Sequence, residues 1–452
     1  MKLEEKLRQE ALDYHYSGCP GKISLNITKP CETQKELSLA YTPGVAVPCL
    51  EIRDNHENVW KYTAKGNIVA VVSDGTAVLG LGNIGAEAGI PVMEGKAVLF
   101  KRFADIDAFP ICLSGVSDEN GNTDADKLIE TVERLEPVFG GINLEDIAAP
   151  ACFKVETVLK KQLSIPVFHD DQHGTAIISL AALMNALKMV EKKIENVKFV
   201  VNGAGAAGIA CSEYYISAGA RRENFILCDS KGAIYKGRTI GMNPEKERFA
   251  AETSARTLED AIRGADVFLG LSVANCVTKE MVRSMASGPI IFAMANPVPE
   301  IMPDIAFAAG AAVVGTGRSD FPNQINNVLG FPGIFRGALD THATDINEAM
   351  KFAASKALAE IPSEKVPPNI AKALKKAYPE DAKTGIFDGN CPLNKRFVIP
   401  KPFDSRVVPR VARYVADAAM KTGVAQIQIK DLDTYEKQVA ERVLKNLEKM
   451  SK

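Results

Sequence analysis

Two pairs of neighbouring acids lie between apolar runs: Glu145 and Asp146 in GGINLEDIAAP, and Asp170 and Asp171 in IPVFHDDQHGTA. Burying such acids is costly unless they coordinate a cation. Carboxylate oxygens favour Mg²⁺ or Mn²⁺, with open positions left for substrate and water. Because neighbouring side chains diverge on a helix or strand, Glu145 and Asp146 could share one ion only at a turn or at the end of an element. Capping or solvated surface acids remain the alternative on spacing alone.

One lysine and one tyrosine are candidates for proton transfer. Lys96 lies between apolar residues in PVMEGKAVLF, where we expect the start of a strand. Burial there would lower the pKa of the amine and make it available as a base near neutral pH. Tyr41 in LAYTPG is a phenol beside a Pro-Gly turn, and it could relay a proton if it were held next to a lysine or a metal. Spacing alone does not single out either residue.

The four-residue spacing of His169 and His173 suggests a second hypothesis, that the protein is a zinc hydrolase. The zinc-protease pattern requires Glu directly after the first histidine, and Asp170 occupies that place. The chain has 5 histidines in total, and no third ligand is obvious. We therefore expect these two histidines to form hydrogen bonds within a loop.

A glycine-rich segment with G-x-G-x-x-G spacing is the clearest signal in the chain. It follows the apolar run VKFVV and opens a helix-like stretch, and a second apolar run then ends in Asp229. The expected dinucleotide contacts are Gly203, Ala204, Gly205, Ala206, Ala207 and Gly208. The glycines permit a tight turn, close approach of a pyrophosphate and close helix packing, and the helix N-terminus adds N–H donors. Asp229 would accept hydrogen bonds from a ribose 2′-OH, which favours NAD, while Lys231 keeps NADP possible.

Five short β-rich runs alternate with helix-length segments over residues 197–201, 225–228, 265–270, 290–294 and 311–315. This rhythm predicts βαβ units and a parallel sheet, with ligands beyond the carboxyl ends of the strands. Those ends carry Asp229, Ser272, Asn296 and Thr316.

The predicted fold class is therefore α/β: a doubly wound parallel sheet of the Rossmann type, a mixed α/β N-terminal domain and a helical C-terminal tail. We expect an N-terminal catalytic domain over 1–160, an NAD(P)-binding domain over 161–345, and a helical segment over 346–452. The apolar stripe of the last segment, which includes Tyr435 and Val439, predicts packing on the first domain or on a dimer partner.

Composition excludes several classes of protein. The 452 residues include 54 Lys and Arg against 56 Asp and Glu, a formal charge of -2, which argues against a general nucleic-acid binder. We find no apolar run that could span a membrane. The first residues resemble neither a signal peptide nor a transit peptide, and 9 cysteines without a CxxC pair suit a reducing compartment. The expectation is a cytoplasmic protein.

Several segments together resemble the malic enzyme family, in its shorter bacterial form. They are AYTPGVA, SDGTAVLGLGNIG, PVMEGKAVLFK, GGINLEDIAAP, FHDDQHGTAI, the glycine-rich loop, FAMANPVPE and GTGRSDFPNQINNVLGFPGIFRGALD. The resemblance implies oxidative decarboxylation of L-malate to pyruvate and CO₂, with reduction of NAD or NADP and a requirement for Mg²⁺ or Mn²⁺. We also expect a homodimer.

The matching motifs also imply roles for individual residues. Lys96 becomes the base and contacts substrate, Tyr41 the acid, and Asp170 a catalytic neighbour of the metal site. The implied metal ligands are Glu145, Asp146 and Asp171. Asn296 and Asn327 are expected to contact substrate and nicotinamide. The chain departs from larger members at Ala77, near which they carry an arginine for the substrate carboxylate.

Three other functions remain open at this point. One is a nucleotide-binding regulatory protein that binds NAD without turnover. Another is a 2-hydroxy-acid dehydrogenase that stops at the keto acid. The third is the zinc hydrolase suggested by the histidine pair.

Overall fold

The computed structural model describes residues 5–78, 81–388 and 393–450; Leu79 and Gly80, inside the SDGTAVLGLGNIG motif, lie outside these ranges. Within them the strands form two sheets. The strands are β1 (Ile68–Ser73), β2 (Asp107–Cys112), β3 (Gly141–Leu144), β4 (Val167–His169), β5 (Phe199–Asn202), β6 (Phe225–Asp229), β7 (Gly232–Ala233), β8 (Val267–Gly270), β9 (Ile290–Ala293) and β10 (Val313–Thr316).

The first sheet has the order β2-β1-β3-β4 and is parallel throughout. The second has the order β10-β9-β8-β5-β6-β7, in which only the short β7 is antiparallel to its neighbour. Parallel strands covered on both faces are near-continuous apolar runs, as the fully buried β5, β8, β9 and β10 show. The predicted α/β class and the doubly wound second sheet are confirmed.

The helices cover both sheets and form the C-terminal part of the chain. They are α1 (Glu5–Tyr16), α2 (Gln34–Ala40), α3 (Ala46–Asp54), α4 (Asn58–Tyr62), α5 (Ala86–Ala104), α6 (Ala125–Glu133), α7 (Ala151–Gln162), α8 (Asp170–Met189), α9 (Ala206–Ser217), α10 (Pro244–Glu247), α11 (Leu258–Ile262), α12 (Lys279–Arg283), α13 (Pro303–Ala308), α14 (Phe331–Asp340), α15 (Glu348–Glu360), α16 (Pro368–Ala377), α17 (Pro379–Ala382), α18 (Val407–Lys421) and α19 (Leu432–Met450). Short 3₁₀ turns cover Lys65–Asn67, Ile194–Asn196, Arg222–Asn224, Asn327–Leu329 and Ile361–Ser363.

The strand expected at Lys96 is wrong, because this segment is part of the helix α5. The apolar residues of PVMEGKAVLF have helical spacing: Met93, Ala97 and Phe100 are buried on one face. A strand would turn every second residue to the opposite face and could not bury this set together. Lys96 shares the buried face of α5.

The helix α8 connects the two sheets, and the last helix packs on a helix of the first sheet. The helix α8 begins directly after β4, so the first sheet extends past residue 160 and α8 leads from it to β5. The last helix, α19, packs on α5 and α18. Its stripe buries Tyr435 and Val439, and the Tyr435 hydroxyl donates to Asp340 Oδ2 at 2.8 Å. Among the described residues, no helix is long and apolar enough to cross a membrane.

Candidate active site

The two acid pairs meet at the carboxyl edge of the first sheet. Glu145 follows β3 directly, and its N–H donates to the Val72 carbonyl on β1 at 2.9 Å. Asp146 has a left-handed backbone with φ of 54°, which rotates it away from the strand direction. Asp170 and Asp171 form the first turn of α8. The geometric requirement for Glu145 and Asp146 to share a ligand is met, since they lie at the end of an element.

Glu145, Asp146 and Asp171 each offer a carboxylate oxygen, and these oxygens lie within 4.8 Å of one another. The backbone N–H of Asp146 donates to Asp171 Oδ2 at 2.8 Å, which fixes the two loops together. Burial raises the pKa of Glu145 well above its ordinary value, with Lys96 opposing the shift and the neighbouring acids adding to it. An all-oxygen set of this kind fits Mg²⁺ or Mn²⁺.

Lys96 reaches the same acids from α5. Its Nζ lies 2.8 Å from Glu145 Oε1 and 2.6 Å from Asp170 Oδ2, over the ring of Phe331. The expectation of a lowered pKa for Lys96 is wrong. Burial does lower it, but the charges of Asp170 and Glu145 outweigh burial, and the pKa of the ammonium is raised. We call Lys96, Glu145, Asp146, Asp170 and Asp171 the acid cluster; its four carboxyl groups outnumber its one ammonium even when Glu145 is protonated.

Two asparagines support the acid cluster. Asn327 Nδ2 donates to the carbonyl and to Oδ2 of Asp170, at 3.3 and 3.2 Å, so this predicted substrate contact does lie beside Lys96. Asn143, on β3, donates to Glu145 Oε2 at 2.8 Å. Asn143 was missed from the sequence, because its place two residues before Glu145 becomes informative only once β3 is known to end at Leu144.

The loop after β1 holds the acid cluster from the other side. The Ala77 N–H donates to the Asp146 carbonyl at 3.0 Å, and the Ala148 N–H donates to Thr76 Oγ1 at 2.9 Å. Buried Asp74 in turn accepts from the Thr76 hydroxyl at 2.7 Å. The SDGT segment therefore fixes the backbone around Asp146.

The histidine pair is not a metal site in this structure. His169 ends β4 and His173 lies inside α8, so the expected loop is wrong. The apolar residues after His173 continue the segment as a buried helix. His173 Nε2 lies 2.8 Å from Glu156 Oε2, and its Nδ1 lies 3.0 Å from Lys351 Nζ. Within the described ranges, the acid set above is the one group of His, Cys, Asp and Glu arranged to hold a metal, and it contains no histidine.

The glycine-rich loop joins β5 to α9 at the carboxyl edge of the second sheet. Gly203 has φ of +118°, and a Cβ there would lie 2.3 Å from the Leu271 carbonyl oxygen. A Cβ on Gly208 would lie 1.8 Å from the Gly203 carbonyl oxygen. Gly205, by contrast, faces open space and caps α9, whose first turn contains Ala206 and Ala207. The open space and the free N–H groups of this turn fit a pyrophosphate.

Asp229 ends β6 as predicted, but the sequence did not show that two cations bind it. Arg238 Nη2 donates to both carboxylate oxygens at 2.7 Å, and Lys246 Nζ donates to Oδ2 at 2.8 Å. Burial raises the pKa of Asp229, but the hydrogen bonds from Lys246 and Arg238 outweigh it and lower the pKa. We call Asp229, Arg238 and Lys246 the Asp229 cluster; its cations outnumber its carboxylate.

The two remaining predicted residues lie in exposed loops. Asn296 is exposed after β9, in a loop that buried Glu300 holds by accepting from the N–H groups of Ser272 and Ala295 at 2.9 and 3.0 Å. Tyr41 lies between α2 and α3, and its side chain is 71% exposed. Among the described residues, no hydrogen bond joins its hydroxyl to Lys96 or to the acids.

The fold and its glycine-rich loop define a two-sheet α/β protein of the dinucleotide-binding class. Residues 20–160 match the family model for the malic enzyme N-terminal domain, and residues 172–377 match that for the malic enzyme NAD binding domain. The chain belongs to the malic enzyme family.

Known relatives span most of the chain. A bifunctional malic/malolactic enzyme of Bacillus subtilis is 55% identical over 95% of this chain and 97% of its own length. An NADP-dependent malic enzyme of Rhizobium meliloti is 54% identical over 96% of this chain, which spans only 55% of that relative. The crystal structure of an NAD-dependent malic enzyme of Thermotoga maritima superposes with a TM-score of 0.77 at 41% identity, covering 92% of this chain and 99% of that one.

Proposed function

We propose that the protein oxidatively decarboxylates L-malate to pyruvate and CO₂, with reduction of NAD(P)⁺ and a divalent cation. The observation that carries the proposal is the convergence of Lys96 with three carboxylates whose oxygens lie within 4.8 Å of one another. A bound nicotinamide supplies a hydride acceptor for C2 of malate, and a cation held by Glu145, Asp146 and Asp171 supplies a Lewis acid for the C2 oxygen.

The residues of the chain handle the protons. Lys96 and Asp170 share a hydrogen bond of 2.6 Å, so a proton moving from Lys96 to Asp170 leaves a neutral amine that can accept the C2 hydroxyl proton of malate. Asn327 fixes Asp170 in that bond. After CO₂ leaves, C3 of the enolate takes up a proton, which gives pyruvate; the motif match assigns this donation to Tyr41, whose exposed hydroxyl makes no hydrogen bond to the acid cluster of its own chain among the described residues.

We propose that the enzyme accepts NADP as well as NAD. A lone carboxylate at the end of this strand repels a 2′-phosphate. Here Arg238 and Lys246 more than balance the charge of Asp229, and the bonds from Arg238 occupy both of its oxygens. The surplus positive charge suits a phosphate at the same place.

We also propose that the protein acts as a homodimer. None of residues 5–64 is buried within a single chain, although this segment contains many apolar side chains. A second subunit would cover them.

The reaction is tested by following coenzyme reduction and CO₂ release together, with purified enzyme, malate and Mn²⁺. We expect one CO₂ for each coenzyme reduced, and loss of both when a chelator removes the metal. Coenzyme reduction without CO₂ would indicate a dehydrogenase that stops at the keto acid. Coenzyme binding without either product would indicate a regulatory protein.

A further inference from the structure

Glu300 is a fully buried acid that has no part in the proton transfers described above. Among the described residues, no lysine, arginine or histidine forms an ion pair with it. Burial raises the pKa of Glu300, and hydrogen bonds from the backbone N–H groups of Ser272 and Ala295 oppose the rise. Burying an acid without a cation is costly, so these hydrogen bonds have to compensate for it. A group buried at such a cost is a candidate for a functional role.

The carboxyl group of Glu300 joins the loops that follow two neighbouring strands. We call residues 271–277, after β8, the β8 loop, and residues 294–300, after β9, the β9 loop. Glu300 Oε1 accepts from the Ser272 N–H at 2.9 Å, and Oε2 accepts from the Ala295 N–H at 3.0 Å. Ser272 and Ala295 are each the second residue after their strand. One carboxyl group therefore fixes both loops where they leave the sheet.

Backbone hydrogen bonds join the far ends of the same two loops. The Asn275 N–H donates to the Pro299 carbonyl at 3.0 Å, and the Val277 N–H donates to the Glu300 carbonyl at 3.0 Å. The two loops thus form one unit, and the carboxyl group of Glu300 holds this unit against the ends of the strands.

The space around this carboxyl group suits glutamate closely. Gly270, the last residue of β8, faces it, and a Cβ on Gly270 would lie 2.4 Å from Glu300 Cδ. A carboxylate has two acceptor oxygens, whereas an amide of the same size has one acceptor and one donor. Glutamine at this position would therefore turn a donor toward one of the two backbone N–H groups.

The order of the strands indicates which half of the coenzyme lies over these loops. The sheet contains the run β9-β8-β5-β6, in which the glycine-rich loop follows β5 and Asp229 ends β6. A dinucleotide with its adenosine ribose at Asp229 and its pyrophosphate at the glycine-rich loop continues to the other side of β5. The nicotinamide half then lies toward the ends of β8 and β9, where the two loops are.

Contacts of the β9 loop lead on to the acid cluster. Asn296 in this loop packs on Gly317, which follows β10: a Cβ on Gly317 would lie 3.0 Å from Asn296 Nδ2. The chain then runs to Asn327, which donates to Asp170 Oδ2 at 3.2 Å. Asp170 is the acid that accepts from Lys96. The loops that Glu300 holds thus lie between the glycine-rich loop and the segment that reaches the acid cluster.

We propose that Glu300 is a positioning residue, which acts through the β8 loop and the β9 loop to hold the nicotinamide half of the coenzyme for hydride transfer. The C2–H bond of malate breaks with its electron pair, which forms the new C4–H bond of the nicotinamide. C2 is oxidised to a carbonyl carbon as its hydroxyl proton passes to the Lys96 amine, and the nicotinamide is reduced. The proposal rests on the proposed function, because that reaction defines the hydride transfer.

Calorimetric titration of two ligands tests the proposal without turnover. NAD contains the nicotinamide half, whereas ADP contains only the part expected between Asp229 and the glycine-rich loop. Because one backbone N–H loses its acceptor, we expect Glu300→Gln to weaken the binding of NAD at least about fivefold. The affinity for ADP should change by less than about threefold. Equal losses for both ligands, or an unchanged affinity for NAD, would overturn the proposal.

A single-turnover measurement separates a misplaced coenzyme from a loss of folded enzyme. At saturating NAD, malate and Mn²⁺, the rate of coenzyme reduction should fall at least about tenfold in Glu300→Gln, because hydride transfer depends steeply on geometry. The amplitude, which counts the competent sites, should stay at the wild-type value. A lower amplitude at an unchanged rate would show a purely structural role and overturn the proposal.

Two further variants complete the test. Gly270→Ala keeps Glu300 but displaces its carboxyl group, so it should give the same pattern, and it replaces Glu300→Gln if that variant does not fold. Wild-type affinity for NAD in a folded Gly270→Ala would overturn the proposal. Glu280→Gln on α12 is the control: its side chain is 73% exposed, and neither affinity should change.

Failure of the proposed function would give a different result. A wild-type protein that reduces no coenzyme with malate would contradict the proposed reaction. If Glu300→Gln still weakened the binding of NAD more than that of ADP, the role of Glu300 in holding the nicotinamide half would stand.

Discussion

The acid cluster and the Asp229 cluster lie at the carboxyl ends of strands in two different sheets, and their charges are opposite. In the first, four carboxyl groups outnumber the single ammonium of Lys96, which contacts two of them. In the second, Arg238 and Lys246 surround the single carboxylate of Asp229. Both contain buried members, among them Lys96, Asp170 and Arg238, so solvent screens neither charge imbalance fully.

The comparison indicates that the charge around a residue, rather than the residue itself, determines the ligand. An isolated Asp229 predicts NAD, whereas Asp229 with its two cations has room for a further negative charge. An isolated buried Lys96 predicts a neutral amine, whereas Lys96 between two acids is an ammonium. The acid cluster thus suits a cation, and the Asp229 cluster suits an anion.

The largest effect is expected from reducing the negative surplus of the acid cluster. Asp171→Asn keeps the size of the side chain but removes one charge, and Asp171 Oδ2 is one of the three clustered oxygens. Substituting residues that merely support a ligand typically costs 10–100-fold in metal affinity, so we expect at least about a 100-fold weaker affinity for Mn²⁺ here. Titration of Mn²⁺ binding by its paramagnetic signal measures this directly.

An exposed acid provides the control for that prediction. Asp304→Asn, on the surface at the start of α13, should leave Mn²⁺ affinity unchanged. Dinucleotide affinity should be unchanged in both variants, because the glycine-rich loop belongs to the other sheet. Unaltered Mn²⁺ binding by Asp171→Asn would show that the negative charge surplus of the acid cluster does not determine the affinity for the metal.

A smaller effect is expected from reducing the positive surplus of the Asp229 cluster. Lys246→Met retains most of the apolar stem but removes the ammonium 2.8 Å from Asp229. A hydrogen bond to a charged group contributes about 1.5–3 kcal/mol, so kcat/KM for NADP should fall at least about tenfold. The value for NAD, which has no 2′-phosphate, should change by less than about threefold on the same reasoning.

Steady-state kinetics with both coenzymes distinguish this outcome from a general loss of activity. Lys236→Met removes an exposed lysine that pairs with Glu252, and we expect it to leave the ratio of the two coenzymes unaltered. Equal losses for NAD and NADP in Lys246→Met would mean that the Asp229 cluster is only structural.

The second sheet was predictable from the sequence because its signals are local. Apart from β7, each of its strands is one run of mostly apolar residues. The glycine-rich loop likewise lies within six consecutive positions. The helix α5 was not recognised because the apolar residues of PVMEGKAVLF fit the spacing of a strand as well as that of a helix. The helical spacing becomes clear only over the full length of α5, from Ala86 to Ala104. Periodicity in so short a segment does not distinguish the two.

The candidate site was predictable in its residue types but not in its charge balance. Family resemblance selected Lys96 and the acids, and the left-handed backbone of Asp146 shows how two neighbours share one place. Arg238 and Lys246 lie 9 and 17 positions after Asp229, so only the folded chain shows that they bind it. The sequence likewise does not indicate that the side chain of Tyr41 is exposed.

A third cluster of charges sharpens the comparison, because each of its charged side chains is paired within the chain. Glu156 on α7 accepts from His173, and Lys351 on α15 lies between His173 and Glu348. Burial would raise the pKa of Glu156, but the charge and hydrogen bond of His173 outweigh it and lower the pKa to about 2. Charged side chains that are already paired have no need of a ligand, so we expect this cluster to affect stability but not metal or coenzyme binding.

Glu156→Gln tests that expectation, and its effect on catalysis should be the smallest of the three. With a folded pKa of about 2 against an ordinary 4.5, the carboxylate stabilises the folded state fully above pH 4.5, and this stabilisation is lost as the pH falls toward 2. We expect the free energy of unfolding of the variant at pH 7 to be about 1–3 kcal/mol lower than that of wild type. The loss is limited because the amide keeps part of the hydrogen bonding. The difference from wild type should narrow below pH 4.5, as denaturant titrations at several pH values would show.

The same cluster supplies the control. Glu348 pairs with Lys351 but its side chain is 69% exposed, so Glu348→Gln should cost less than about 1 kcal/mol at pH 7. In Glu156→Gln, kcat and Mn²⁺ affinity should stay within about threefold of wild type, as expected for a site whose charges are already satisfied. A loss of Mn²⁺ affinity as large as that of Asp171→Asn would mean that the α7–α8 charges and the acid cluster are one electrostatic unit, joined through the bond from the His169 N–H to Glu156 Oε1.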